Sequence, residues 1–559
     1  MAKVRIKKQN SIGSVAAEND RLLDSTFVDL GYADKLSDTS SPAFLILGRT
    51  GVGKTALLER IKSSAEHVSV LDPEELSMQY LHSSTILKTI LGWGINLDMF
   101  YKFLWRHVCI LELIRMRYGH EDDVPTTIDR VFNLGDLINR SRKKTKETSK
   151  DYLKKYAGDY WIKTDTRIKT IANELSVKLA EDEQIGAKLK VAGAMGTASS
   201  QTSSVQESIT KVDYEVKDRV QTIVSDYLIA DLNHIIELLA KHGFSDQQKN
   251  YYILIDNLDK DWMPDDDLYL DLIKSLINSV MDVNNRLAGV KILVALRDNI
   301  FFRVYKKTAK HEPQREKLAD VILNIKWSRA DLIQLVNNRL AATFSTSDPA
   351  AAKPAFADIL PAKKKKTAQD PIDYVLDRTF LRPRDVIAFV NAYLEQVART
   401  STHGKPTWTS LLQAETAYSK GRLDSVHDEW KDSFYGLPAL YKVLDKTQAN
   451  FRTSDIDQAE INVILLHELC EKCPWLKTLQ ESYAENRATN DDIKEEIITA
   501  AFIVGLVGVK VPSSDHPVFS YELPTFFLPW KTEEGTLQES VFYVHKMFWK
   551  AFGINEVEA

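Results

Sequence analysis

Eight consecutive residues, Gly48-Arg49-Thr50-Gly51-Val52-Gly53-Lys54-Thr55, fit the pattern G-x-x-x-x-G-K-[ST] without a mismatch. The chemistry of that pattern is the grip of a triphosphate. Glycine at 48, 51 and 53 lets the backbone turn tightly and bring N–H groups against phosphate oxygens. A helix opening near Lys54 adds the positive end of its dipole. Lys54 is then expected to reach the β- and γ-phosphates, and the Thr55 hydroxyl to ligate Mg²⁺. Gly48, Arg49, Thr50, Gly51, Val52, Gly53, Lys54 and Thr55 form the expected cofactor-binding set, for ATP and Mg²⁺.

A second segment, YYILIDNLDK, supplies the carboxylate such a loop needs. Asp256 closes an apolar run and is expected to hold Mg²⁺ through water. P-loop ATPases often place Glu or Asp directly after this position to polarise the attacking water, and here Asn257 stands there. An amide cannot accept that proton, so Asp259 becomes the candidate water-positioning group. Two outcomes stay open: slow hydrolysis with Asp259 as base, or a nucleotide switch that barely turns over.

The elements that must position these residues follow from periodicity. AFLIL at 43–47 and HVSVL at 67–71 read as short strands on either side of the helical stretch TALLERIKSSAE. Further apolar runs at 251–256, 290–296 and 320–325 alternate with the helical patterns DLYLDLIKSLINSVMDV and NIFFRVYKK. Strands of unalternated polarity separated by helices predict a parallel sheet covered on both faces. Between them, Leu76 to Tyr118 is apolar, aromatic and helical in spacing, and Phe100, Tyr101, Phe103 and Trp105 read as core. Residues 120–245 are polar and helix-forming, with a small-residue interruption at 191–204 that suggests two arms and a tip. SRADLIQLVNNRLAAT opens with a Ser cap and an acidic first turn, and KPAFADILPAKKKKTAQDP reads as a linker or exposed loop. The last 70 or so residues are expected to contain strand-like pieces in AFIVGLVGVKV, YELPTFFL and ESVFYVHKMFW.

Composition sets the outer limits. Glycine is 22 of 559 residues, well under the usual ~7%, which favours long helices over turn-dense β structure. A net charge of -5 gives no global cationic field for nucleic acid. Basic runs at 3–8, 142–155 and 363–366 read as solvated segments. Three cysteines make no disulfide framework, and a reducing compartment fits. MAKVRIKKQNSIGSV lacks an apolar signal core, and no run of about 18 uninterrupted apolar residues occurs, so a cytoplasmic protein without membrane contact is expected. His467, Cys470 and Cys473 fall three apart, yet a lone C-x-x-C without a second pair reads as a buried stripe rather than a metal site.

GRTGVGKTALL, YYILIDNLDK, ILVALRDNIF, IKWSRADLIQLVNNRL and FLRPRDVIAFVNAY together resemble the bacterial P-loop ATPases of the AAA+/STAND and KAP branch, over about residues 20–430. DNLDK is similar to the DDLDR element of the KAP group, with Asn at the second position. The resemblance implies a sensor role near the γ-phosphate for Arg297, beside Asp298. It implies a lid arginine reaching the phosphates in RPRDVIAF, which nominates Arg384 ahead of Arg382. Arg303, Arg315 and Arg339 are candidate trans-acting fingers from a neighbouring copy. The C-terminal segment resembles a winged helix, but its DDIKEEIITAAF helix is acidic and would repel phosphate, so protein docking outranks DNA reading there.

The expected fold is therefore α/β: a P-loop NTPase parallel sheet with a long helical insertion, a helical lid and a C-terminal winged-helix-like α+β module. Its expected parts are a flexible N-terminus at 1–20, core at 21–72, insertion at 73–245, core at 246–328, lid at 329–430 and C-terminal module at 431–559. The expected function is an ATP-binding, ATP-hydrolysing switch of bacterial type that controls an effector protein or a homo-oligomer. The resemblance adds an antiphage or mobile-element setting. Two alternatives stand beside it: a DNA-binding initiator-like ATPase, and a non-hydrolysing scaffold that keeps ATP as a structural ligand.

Overall fold

Apolar runs bounded by polar turns became strands wherever the alternating helices could cover both faces. The structure, a computed structural model, describes residues 6–7, 10–71, 97–118, 143–152, 232–244, 249–258, 267–308, 318–344, 353–364, 368–400, 404–431, 433–444, 448–466, 473–510, 516–523, 528–531 and 537–555. The chain divides into two units, one of Gly31–Leu47 and Leu57–Asn324, the other of Met1–Leu30, Gly48–Ala56 and Ile325–Ala559.

The first unit is built on a five-stranded parallel sheet of β1 (Leu45–Gly48), β2 (His67–Leu71), β3 (Tyr251–Ile255), β4 (Val290–Arg297) and β5 (Ile322–Asn324), in the order β2-β3-β4-β1-β5. Every residue of β1 and β3 is buried, the pattern of strands covered on both faces. Tyr251 pairs with His67 on one side and Val290 on the other, and Leu45 pairs with Ile322. Helix α1 (Lys54–Ser64) follows β1 and buries Leu57, Leu58 and Ile61. Helix α2 (Asp98–Tyr118) packs along α3 (Asp267–Arg286): the Trp105 indole donates to the Leu272 carbonyl at 3.0 Å, and Arg106 pairs with Asp282 at 3.1 Å. Phe100, Tyr101, Phe103 and Trp105 are all buried, so that aromatic cluster is core. Helix α4 (Asp298–Thr308) leaves β4 directly. Within the expected insertion, residues 143–152 and 232–238 are helical, and the small-residue tip at 191–204 lies outside the described residues.

In the second unit, α5 (Arg329–Thr343) starts at a capping box, with Ser328 accepting from the Asp331 amide and Asp331 accepting from the Ser328 amide. Two further helices, α6 (Pro383–Thr400) and α7 (Trp408–Trp430), lie side by side, with Phe389 stacked on Tyr418 at 4.5 Å. A last long helix, α8 (Asn490–Val504), leads through Gly505 into a three-stranded antiparallel sheet of β6 (Asn450–Phe451), β7 (Val507–Lys510) and β8 (Val541–Val544), in the order β6-β8-β7.

Three expectations need correcting. Residues 10–20 are not loose: Ile12 is fully buried, its amide donates to Asn391 Oδ1 at 2.9 Å, and Asp20 pairs with the buried Arg339 at 2.6 Å. The segment expected to be a linker at 353–371 holds a short helix, Phe356–Ile359, because Phe356 and Ile359, three apart, bury completely. In AFIVGLVGVKV the helix runs on to Val504, and only Val507–Lys510 is strand, because Gly505 at φ 88° ends the helix in the left-handed region.

Candidate functional site

The glycine-rich loop joins β1 to α1, and its turn is set by backbone conformations that side chains resist. Gly51 has φ 82° and Gly53 has φ 105°. A Cβ on Gly48 would lie 2.6 Å from Val52 Cγ1, so any larger residue there would have to displace the buried Val52 side chain. Lys54 folds back so that its Nζ donates to the carbonyls of Gly48 at 2.6 Å and Arg49 at 3.2 Å. Val52 is buried, and Thr55 is half-buried at the start of α1.

The loop is held in the second unit by three of its carbonyls and one amide. The Thr50 carbonyl accepts from Arg382 Nη1 at 2.6 Å, the Gly51 carbonyl from the Arg384 amide at 3.3 Å, and the Val52 carbonyl from the Trp327 indole at 2.8 Å. The Thr50 amide donates to Glu429 at 3.0 Å.

Behind these contacts lies a buried ionic network. Arg382 donates to Asp385 at 2.8 Å and to Glu429 at 3.2 Å, and Arg422 donates to the other Asp385 oxygen at 3.1 Å. Burial pushes the Asp385 and Glu429 carboxyls upward, but Arg382 outweighs it at both, aided by Arg422 at Asp385 and by Arg49 at Glu429, so both pKa values end lowered. The same carboxylates overcome desolvation at Arg382 and raise its pKa. Arg382 is therefore spent on structure.

Arg384 differs. A Cβ on Gly51 would fall 2.4 Å from the Arg384 Cβ and 2.8 Å from its Nε, so the side chain lies against the loop. Burial, then Arg382, lowers its pKa, with Glu429 opposing. Its Nε is buried without a hydrogen-bond partner, and it makes no ion pair among the described residues. Of the two arginines in RPRD, the structure leaves Arg384 beside the loop with charge to offer.

In the sheet unit, β3 and β4 run in register, with Ile255 opposite Val294. Asp256 follows β3 and Arg297 ends β4, so both stand at the carboxyl edge of the sheet. Asp256 is half-buried and accepts from the Asn257 amide at 2.8 Å. Asn257 itself has φ 56°, a left-handed turn that asparagine tolerates better than most residues. Its identity thus has a backbone reason as well as a chemical one. Asp259 and Arg315 lie outside the described residues, and Arg303 is half-buried on α4. Arg339 is buried against Asp20 and the Ile12 carbonyl, which removes it as a finger offered to a neighbour.

Sequence reasoning missed Glu429, Trp327 and Arg422. Glu429 has no local signal, since it meets the loop across 379 positions. Elsewhere, Cys473 is buried with its Sγ accepting from the Gly436 amide at 3.3 Å, while His467 and Cys470 lie outside the described residues. No group of three metal-ligating side chains occurs among the described residues, and no described helix is long and apolar enough to cross a membrane.

Fit to a bound nucleotide is testable on the loop itself. The two left-handed glycines and the amine of Lys54 suit a triphosphate, and nothing approaches a Cβ built on Gly53 more closely than Trp327, at 4.0 Å. The hydroxyl of Thr55 and the carboxylate of Asp256 are hard oxygen donors of the kind Mg²⁺ takes.

Residues 330–427, spanning most of α5 to α7, match the model of the FunZ-associated C-terminal helical domain. Over 559 residues the chain is 20% identical to an Escherichia coli (strain K12) protein named "Putative transposon gamma-delta 80.3 kDa protein", an alignment covering 98% of this chain and 68% of the relative. Among solved structures, a Walker-type ATPase of Pyrococcus abyssi aligns over 83% of this chain and 92% of its own, at 11% identity and a TM-score of 0.32.

Proposed function

We propose that the chain is a Mg²⁺-dependent, ATP-binding P-loop NTPase whose nucleotide is sensed by the helical region around α6 and α7. The observation that carries this reading is Arg384: a desolvated guanidinium without an anionic partner among the described residues, laid against Gly51 of a loop that already holds Lys54. A half-buried cation whose Nε has no partner favours an arriving anion, and the triphosphate of the G-x-x-x-x-G-K-[ST] pattern is the anion that suits it.

In this reading Lys54 and the loop amides bind the phosphates, Thr55 and Asp256 hold the metal, and Arg297 and Arg384 read the γ-phosphate end. Magnesium, when bound, neutralises charge between the terminal phosphates. Asn257 leaves turnover to Asp259, which makes hydrolysis slow. The order of the motifs supports assignment to the AAA+/STAND and KAP branch, and the transposon name of the Escherichia coli relative supports a mobile-element setting. The C-terminal module, which carries helices and a three-stranded antiparallel sheet, is assigned to protein docking, and its sequence resemblance to a winged helix belongs to the same proposal. Asp491, Asp492 and Glu496 on α8 are exposed and would repel nucleic acid. Assembly into a homo-oligomer and control of an effector belong to the same proposal.

Titration of a fluorescent ATP analogue against Lys54→Ala tests the reading. The variant is expected to bind at least about tenfold more weakly, a loss of ~1.4 kcal/mol. Unchanged affinity would remove the basis for it.

A further inference from the structure

Arg49 occupies the first variable position of the glycine-rich loop, yet its side chain serves a distant helix. It is buried at 7% exposure. Its Nη1 donates to the Val504 carbonyl at 3.0 Å, and its Nη2 to the Ile503 carbonyl at 2.6 Å and Ser520 Oγ at 2.7 Å. Its guanidinium carbon stands 5.1 Å from the Phe380 ring centre, 5.8 Å from Trp430 and 5.8 Å from Tyr521.

The helix it reaches needs such a partner. The last carbonyls of a helix lack intrahelical donors, and its C-terminus carries partial negative charge. No basic residue stands in the last turn of α8. Arg49 supplies the missing cation from 455 positions away. Gly505 completes the fit, because a Cβ there would lie 2.7 Å from Arg49 Nη1 and 3.1 Å from Phe380 Cζ.

Thr50, the next residue, is bound by Arg382 and Glu429 of the helical region. Two adjacent loop residues are thus tied to two different elements, with the loop, α6, α7 and α8 all in one unit. We infer that Arg49 is a coupling residue: a change of the loop on binding nucleotide is passed through its guanidinium to the C-terminal end of α8, making the C-terminal module the output of the nucleotide site. This rests on the nucleotide-binding reading given above.

The test uses hydrogen exchange on the full chain, with and without a slowly hydrolysed ATP analogue and Mg²⁺. Each protein is saturated at a concentration set by its own binding titration. In the unsubstituted protein, amides of 501–510 are expected to change exchange rate by about fivefold or more, the low end of ordinary coupling between sites. In Gly505→Ala, whose new methyl displaces the guanidinium, that response is expected to vanish while the loop itself still responds. Ser520→Ala removes one Arg49 contact, together with the hydroxyl's own bond to the Ile503 carbonyl, while leaving Gly505 in place, and is expected to reduce the response, which keeps the test decisive if Gly505→Ala fails to fold. Nucleotide binding without any response at 501–510 overturns the coupling, as does a full response in both variants. Failure of the unsubstituted protein to bind the analogue overturns the nucleotide reading itself, and the coupling with it.

Discussion

Arg384 and Gly51 share one volume: the arginine amide donates to the glycine carbonyl at 3.3 Å, and its Cβ stands 2.4 Å from where a Cβ on Gly51 would be. The glycine at this position of the pattern is usually explained by the approach of phosphate to backbone. Here it has a second reason, the approach of the helix start carrying Arg384.

Gly51→Ala should therefore fail twice. At φ 82° the alanine is strained, and its methyl meets a Cβ that cannot rotate away. The expected loss of stability is on the order of 1–3 kcal/mol for the backbone term alone. Denaturant midpoints measure it, and a variant as stable as the original would contradict the packing of Arg384 on the loop.

Arg382 is expected to behave as a structural residue. Replacing it with Met leaves Asp385, fully buried, with Arg422 alone and takes the Arg382 ion pair away from Glu429. Breaking such a group costs roughly 3–5 kcal/mol. Arg384→Met, which strips no buried carboxylate of an ion-pair partner, should cost much less stability but weaken nucleotide binding. Urea unfolding and nucleotide titration on the two variants should give opposite rankings, and the same ranking in both assays would undo the division of roles.

What was legible in the sequence was local. The loop, the buried strands and the Ser328–Asp331 cap each depend on residues a few positions apart, where periodicity and side-chain chemistry act directly. The parts that were not legible join distant segments. Glu429 at the Thr50 amide, Arg49 at the end of α8 and Asp20 on Arg339 are separated by 379, 455 and 319 positions. Each is a charged residue whose local context is that of a solvated surface, and only the fold supplies the partner that makes burial favourable. Ile12 is similar: a single apolar residue in a polar stretch carries no period, and what fixes it is Asn391 on α6.

Asn257 allows the backbone and chemical explanations of one residue to be separated. Glycine adopts φ 56° without strain, so Asn257→Gly should leave stability within about 0.5 kcal/mol of the original. Asn257→Val, β-branched and ill-suited to the left-handed region, should cost roughly 1–3 kcal/mol. Thermal unfolding of the two variants distinguishes them. Equal melting temperatures would mean that the turn after β3 does not require this conformation.

The pH dependence of stability should carry the signature of His545. The ring is buried, its Nδ1 accepts from the Met547 amide at 3.0 Å, and its Nε2, which must then carry the proton of the neutral ring, is 3.1 Å from the Tyr521 hydroxyl. Burial drives its pKa down from 6.5 to about 3. Between those values the folded ring stays neutral while the unfolded chain takes up a proton, so the unfolded state binds more protons and stability falls as pH falls. The contribution is complete above about pH 6.5 and declines by ~1.4 kcal/mol per pH unit below it. Asp385 and Glu429, whose pKa values are lowered from 3.8 and 4.5, add their loss only at more acid pH, and Glu522, whose carboxyl pKa burial raises above 4.5, acts in the opposite direction, so the histidine is read as a difference between two proteins. His545→Asn keeps an acceptor for the Met547 amide and removes the titration. Urea midpoints for this variant should show a slope shallower by one proton between about pH 6 and pH 5. Identical slopes would show that His545 protonates in the folded state as readily as in the unfolded one.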